Sequence, residues 1–159
     1  IVFQIGTGKF GVRNQAGGFD DAKLRAVAAH DSVRMFELKL SQGAKPGKGG
    51  ILPGAKVTPE IAAIRGIPEG LDAISPNRHP EAADVAGLLD MIAHIRDLTG
   101  KPTGLKAVVG GQDFLRALCQ EIQTRGVESA PDFITIDSAD GGTGAAPMSL
   151  IDNMGMNIN

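Results

Sequence analysis

The chain has 159 residues, enough for one core of ordinary size, and 42% of them are hydrophobic. Its formal net charge is −2 with acids and bases interspersed, and it holds no Trp, no Tyr and six Phe. That composition excludes the basic footprint of a nucleic-acid binder and offers few platforms for stacking bases. No apolar run reaches the roughly 18–20 residues of a membrane-spanning helix, and no secretory signal opens the sequence. The expected location is therefore the cytoplasm.

In chain order, "IVFQIG" reads as a short strand, followed by the turn-rich "GTGKFGVRNQAGGF". Asp20 is placed to cap a helix over "DAKLRAVAAH", with Phe19 as its staple. "VRMFELKL" reads as a buried strand ending near Leu40. "VTPEIAAIRG" has helix punctuation, with Thr58 as N-cap, Pro59 at the first position and Gly66 past the end. "LDAIS" reads as a short strand stopped by Pro76. A long helix is expected from Glu81 to Thr99, where Val85, Leu88, Leu89, Ile92 and Ile95 keep helical spacing and Gly100 provides the stop. "GLKAVVG", "QDFLRALCQEIQTRG" and "DFITIDS" follow as strand, helix and strand.

Strands alternating with helices, with connections long enough for crossovers, are the signature of parallel β/α architecture. A doubly wound sheet and a closed barrel both fit that order. In either, chemistry collects at the carboxyl ends of the strands. Three expected strand ends run into polar or glycine-rich loops: "SQGAKPGKGG", "PNRHPE" and "ADGGTGAAP". They are expected to share one mouth.

Two lysines fall inside expected strands. Lys39 shares a face with Glu37 by the two-residue period, and Lys106 is embedded in "LKAVV". An exposed edge or a snorkelling stem accounts for such a residue, and so does a bound anion or carboxylate that compensates a buried charge. "DGGTGA", from Asp140 to Ala145, can bring bare backbone N–H groups against a phosphate, with Thr143 adding a hydroxyl. It is neither a P-loop nor the dinucleotide pattern, and an ordinary turn has the same composition.

Cys119 lies in "FLRALCQEI" at helical spacing with Leu115 and Ile122 and is expected to be a small buried thiol. A single cysteine allows no internal disulfide. His30, His79 and His94 form no cluster with metal-ligand spacing, and no metal site is expected.

The stretches "TGKFGV", "ELKLSQGAKPGKGGILPGAKVTPEIAAIRG", "ISPNRHPE" and "DGGTGAAP", in this order, resemble the FMN-binding synthase domain of the glutamate synthase family. The likeness covers nearly the whole chain and is stronger to stand-alone proteins of the family than to the large multidomain enzymes. It implies a TIM-type (β/α)8 barrel with FMN at its C-terminal mouth. A whole barrel takes about 250 residues, so residues 1–159 are expected to form one domain, the central part of a barrel completed by missing segments or a partner chain. The implied reaction transfers a hydride from reduced FMN to 2-iminoglutarate, formed from 2-oxoglutarate and ammonia, giving glutamate.

By motif position, Lys39, Gln42, Lys45 and Arg65 resemble the residues around the flavin and the substrate carboxylates. Lys106 resembles the strand lysine facing the flavin ring, and Asp140, Gly141, Gly142, Thr143 and Gly144 match the flavin-binding glycine loop. The large enzymes have glutamine where Ile51 stands and glutamate where Ala86 stands, which puts coupling to a glutaminase in doubt. The cysteines of the family's iron–sulfur cluster lie downstream of the glycine loop, and Cys119 is not one of them. Two alternatives remain open. One is a related FMN-dependent barrel acting on another anionic substrate, since the "GGT" loop and strand lysine also occur in flavin-dependent isopentenyl diphosphate isomerases. The other is a non-catalytic barrel piece completed by another chain. Pro46 and Pro53 favour a rigid anion-receiving wall over a flexible linker for the lysine–glycine loop.

Overall fold

The structure is a computed structural model that describes residues 1–41, 45, 49–140, 146–151 and 153–157. Its elements run β1 (Val2–Ile5), α1 (Asp21–Ala28), β2 (Met35–Lys39), β3 (Ile51–Leu52), α2 (Pro59–Arg65), β4 (Ala73–Ile74), α3 (Val85–Thr99), β5 (Thr103–Val108), α4 (Asp113–Arg125) and β6 (Ile134–Asp137).

Four strands form a parallel sheet in the spatial order β1-β2-β5-β6. Spatial order follows chain order, without the reversal at which a doubly wound sheet switches faces. The side chains agree. Ile5, Phe36, Leu38, Leu105 and Ala107 form one buried cluster with Leu24 of α1, Leu88, Leu89, Ile92 and Ile95 of α3 and Leu118 of α4. All three helices thus cover the same face of the sheet. By strand alternation the opposite face carries Gln4, Glu37, Lys39, Lys106, Thr135 and Asp137. A sheet buried between two helix layers reads apolar on both faces. This one is apolar on one face and charged on the other.

The helix ends follow the punctuation. Asp20 accepts a hydrogen bond from the Lys23 amide, Thr58 from Ile61 and Asp84 from Gly87, while Gly66 and Gly100 close their helices in the left-handed region. At the amino ends of the strands, Asp132 accepts from Thr103 N at 2.7 Å and from Arg96 Nε at 3.0 Å, tying the starts of β5 and β6 to α3. Stability devices gather at that edge, opposite the strand ends that carry chemistry.

Three expectations need correction. "LDAIS" does not join the parallel sheet: β4 pairs antiparallel with β3 in a separate two-stranded ribbon. That ribbon, with α2, forms a small excursion between β2 and α3, held by Val57, Ala62 and Ala73 with Phe10, Leu52 and Ile61 packed against them. Two residues of "LDAIS" pair, too few for a crossover strand. The long helix begins at Val85 instead of Glu81, because Asp84 takes the capping position and Glu81 is drawn into an ion pair with Lys9. Cys119 is exposed. The apolar stripe of α4 runs through Phe114, Leu118 and Ile122, which leaves Cys119 beyond its edge. Among the described residues no helix is long and apolar enough to cross a membrane.

Candidate functional site

Because β1, β2, β5 and β6 are parallel, their carboxyl ends lie along one edge. A cavity of about 280 Å³ opens there, over the ends of β1 and β2. Its walls are Gln4 and the loop Gly6–Phe10, the β2 end Lys39–Ser41, Lys45, Gly49 and Gly50, and Ser75 and Asn77 beyond β4. The glycines here have separate tasks. A Cβ on Gly49 would fall 2.0 Å from the Ser75 carbonyl oxygen, so two chain segments cross where only glycine fits. A Cβ on Gly6 would meet no atom within 4 Å, so that position presents bare backbone at the cavity.

The charged face of the sheet reaches the cavity through Gln4 and Lys39, and its other polar residues lie beside them. Lys39 and Lys106 are register partners on adjacent strands. The Lys106 ammonium stands 3.5 Å from Asp137 Oδ2. Below them the buried Glu37 carboxylate accepts from Gln4 Nε2 at 2.6 Å and from Thr135 Oγ1 at 2.6 Å. Gly104, which has no side chain, is the register partner of Glu37 on β5. Burial pushes the Lys39 ammonium below its ordinary value, and Lys106 and Lys45 push it further down. Asp137 and Glu37 oppose that shift and do not cancel it. Three lysines thus gather at this mouth with two carboxylates, and an anion that met the buried Lys39 ammonium would favour its charged form.

The structure brings Lys39 and Lys45 to one cavity. Lys106 shares the face next to Lys39 and does not line the cavity. Arg65 is not a wall residue either. Its guanidinium lies 4.7 Å from the centre of the Phe10 ring, and Phe10 is the wall. The Asp140 carboxylate accepts a short hydrogen bond from Ser138 Oγ, and the Asp140 amide donates back to that hydroxyl at 3.2 Å. Gln42, Gly141, Gly142, Thr143 and Gly144 lie outside the described residues.

Sequence reasoning missed a buried polar group beside the cavity. Lys9 is 1% exposed and pairs with Glu81 Oε2 at 3.0 Å. His79, also buried, places Nε2 3.2 Å from the Lys39 carbonyl oxygen. That nitrogen therefore carries the hydrogen, and the Nδ1 left as an acceptor has no partner among the described residues. Burial pushes the His79 ring below its ordinary value, Lys9 adds to this, and the bond to Lys39 and the nearby Glu81 oppose it. For Glu81, burial works upward, but its own backbone amide and Lys9 prevail and hold the carboxyl below its usual range. No periodicity marks these residues, and "TGKFG" and "NRHPE" meet only through the fold.

The pattern of the family described as the conserved region in glutamate synthase matches residues 1–159. The chain belongs to the glutamate synthase family. It is 43% identical over 158 residues to the glutamate synthase large subunit-like protein YerD of Bacillus subtilis, covering 99% of this chain and 30% of that protein. It is 37% identical over 160 residues to the archaeal glutamate synthase [NADPH] of Methanocaldococcus jannaschii, covering 99% and 28%. To the glutamate synthase [NADPH] large chain of Bacillus subtilis it is 35% identical over 155 residues, covering 96% of this chain and 9% of that one. The chain thus spans under a third of the length of these relatives. Among the described residues no group of three His, Cys, Asp or Glu side chains could hold a metal ion.

Proposed function

We propose that this glutamate synthase family chain forms the central part of a (β/α)8 barrel whose mouth binds FMN and a dicarboxylate, and that the whole protein reductively aminates 2-oxoglutarate to glutamate. The observation that carries this reading is the cation-rich mouth: Lys39 and Lys106 are register partners at the carboxyl ends of adjacent parallel strands, and Lys39 and Lys45 line one cavity. A singly wound order with helices on one face, and a polar opposite face, supports continuation into a barrel whose lumen is that polar face.

The cavity fits a five-carbon dicarboxylate. Its volume sits at the lower limit of ligand pockets, which run to roughly 300–1,000 Å³, and Lys39, Lys45, Ser41 and Asn77 supply cations and short polar groups. Lys39 and Lys45 would each neutralise a carboxylate. Burial, with the neighbouring lysines, holds the Lys39 ammonium down, so an arriving anion would restore it and be held in turn. Whole FMN needs more room, and Lys39, Gln42, Lys106 and the loop Asp140–Gly144 would hold it. Their chemistry fits, because Lys39 and Lys106 put two cations side by side on one face, and a reduced flavin would gain from nearby positive charge. When bound, FMN would supply the hydride that, with a proton, reduces the imine formed with loss of water from 2-oxoglutarate and ammonia. Family-level iron–sulfur chemistry involves no cysteine of this chain.

The test is the visible absorption spectrum of the full-length protein after gel filtration. Flavin bands that remain with the protein are expected, and a colourless protein that does not retain added FMN would overturn the reading.

A further inference from the structure

The segment Asn77–Glu81 touches three separate walls of the cavity with alternate residues. Asn77 Oδ1 accepts from the Gly49 amide at 2.9 Å, at the far end of the lysine–glycine loop. His79 Nε2 meets the Lys39 carbonyl at the end of β2. Glu81 meets Lys9 in the loop after β1. We propose that Lys9, His79 and Glu81 are positioning residues, a latch with buried Lys9 and His79 that locks the β1 loop and the β2 end together and so sets the spacing of the groups that meet the dicarboxylate. The inference rests on the dicarboxylate reading of that cavity.

Simple packing does not account for the latch. Lys9 is among the largest fully buried side chains, and a buried ammonium costs several kcal/mol unless compensated. It receives that compensation from Glu81, from the Gly17 carbonyl at 3.3 Å and from the Phe19 ring, whose centre lies 5.7 Å away. Lys9 also has φ of 50°, the positive-φ residue other than glycine among those described. A side chain in that region stores strain and persists where its surroundings over-determine it. Gly8 and Phe10, its neighbours, are cavity walls, and a Cβ on Gly8 would stand 2.8 Å from both the Phe10 ring and Ser75 Oγ. Small movements of Lys9 therefore pass directly to the wall. On the other side, His79 holds the backbone of the residue whose ammonium faces the ligand. An apolar residue would fill the His79 site well, since Leu40, Ala82, Leu88 and Phe114 line the space beside it.

That last point makes the test discriminating. Glutamine can return an N–H to the position of Nε2, whereas leucine fills the space without donating. If His79 only packs, His79→Leu performs as well as His79→Gln or better. If it positions Lys39, His79→Gln performs better. In the full-length protein we expect His79→Leu and Lys9→Met to weaken 2-oxoglutarate binding, measured calorimetrically, by about fivefold to tenfold, the equivalent of one hydrogen bond. His79→Gln stays within about twofold of wild type on the same reasoning. Hydrogen exchange at residues 6–10 and 38–41 rises in the same order. Glu81→Gln, which keeps its shape on a partly exposed residue, moves both readouts in the direction of Lys9→Met. Leucine equal to or better than glutamine at position 79, or exchange unchanged in Lys9→Met and Glu81→Gln, overturns the latch. A wild-type protein that does not take up 2-oxoglutarate overturns the dicarboxylate reading instead, and the exchange order then decides the latch alone.

Discussion

Replacing Glu37 by alanine removes the centre of the polar sheet face. Glu37 is 7% exposed, and its carboxylate accepts one hydrogen bond from β1 and one from β6, each at 2.6 Å. Hydrogen bonds to a charged group contribute about 1.5–3 kcal/mol apiece, a gross loss of about 3–6 kcal/mol. Relief of the buried carboxylate's desolvation offsets part of this, leaving a net cost of about 2–4 kcal/mol with Gln4 and Thr135 stranded. Glu37→Gln is milder. The Gln4 amide can turn over and the Thr135 hydroxyl can rotate, so both contacts survive as neutral bonds at a cost of about 1 kcal/mol. Urea unfolding of the full-length protein measures both variants as shifts in midpoint at constant slope. Alanine costing less than about 1 kcal/mol, or glutamine costing as much as alanine, would refute the hydrogen-bonded network on this face.

Lys45→Ala is expected to raise the KM for 2-oxoglutarate about tenfold or more with a smaller change in kcat, as loss of one charge-assisted bond requires, checked by steady-state kinetics. Arg65→Ala should raise that KM only about threefold, because Arg65 supports Phe10 across a cation–π contact; a loss matching Lys45→Ala would place Arg65 on the ligand itself. Lys106→Ala and Thr143→Ala should each lower the flavin retained after gel filtration, measured as the ratio of visible to ultraviolet absorbance, and unchanged ratios in both would remove them from the flavin site. The His79 ring is pushed below the ordinary histidine value of about 6.5 in the folded protein. The unfolded state then binds the proton first, so stability is retained above about pH 6.5 and lost as pH falls toward the folded value. His79→Gln should abolish that part of the acid slope in thermal unfolding, and an unchanged slope would mean that the ring is not held neutral.

Much of the fold was legible because its signals are local. Asp20, Thr58, Gly66 and Gly100 cap the helices that they punctuate, and the alternation in "FELKL" placed Glu37 and Lys39 on one face. Winding direction was not legible. It became visible only once the apolar residues of β2 and β5 were seen to share a core with all three long helices. The β3–β4 ribbon was misread because "LDAIS" has strand composition but the register of an excursion. At the site, Lys39 and Lys106 stood out as lysines inside apolar strands, whereas Lys9 and His79 did not. Their partners, Glu81 and the Lys39 carbonyl, lie far along the chain, and no short-range pattern encodes a pairing made by tertiary contact. Arg65 matched a motif position, but its contact with the Phe10 ring, made from the last residue of α2, was not legible, because that pairing too is tertiary.

The most direct measurement is anaerobic reoxidation of the photoreduced full-length protein, followed by flavin absorbance. Addition of 2-oxoglutarate with ammonium should restore the oxidised spectrum and yield one glutamate per flavin, while 2-oxoglutarate alone should leave the reduced spectrum in place. A flavin that stays reduced in the presence of both would contradict the proposed reaction.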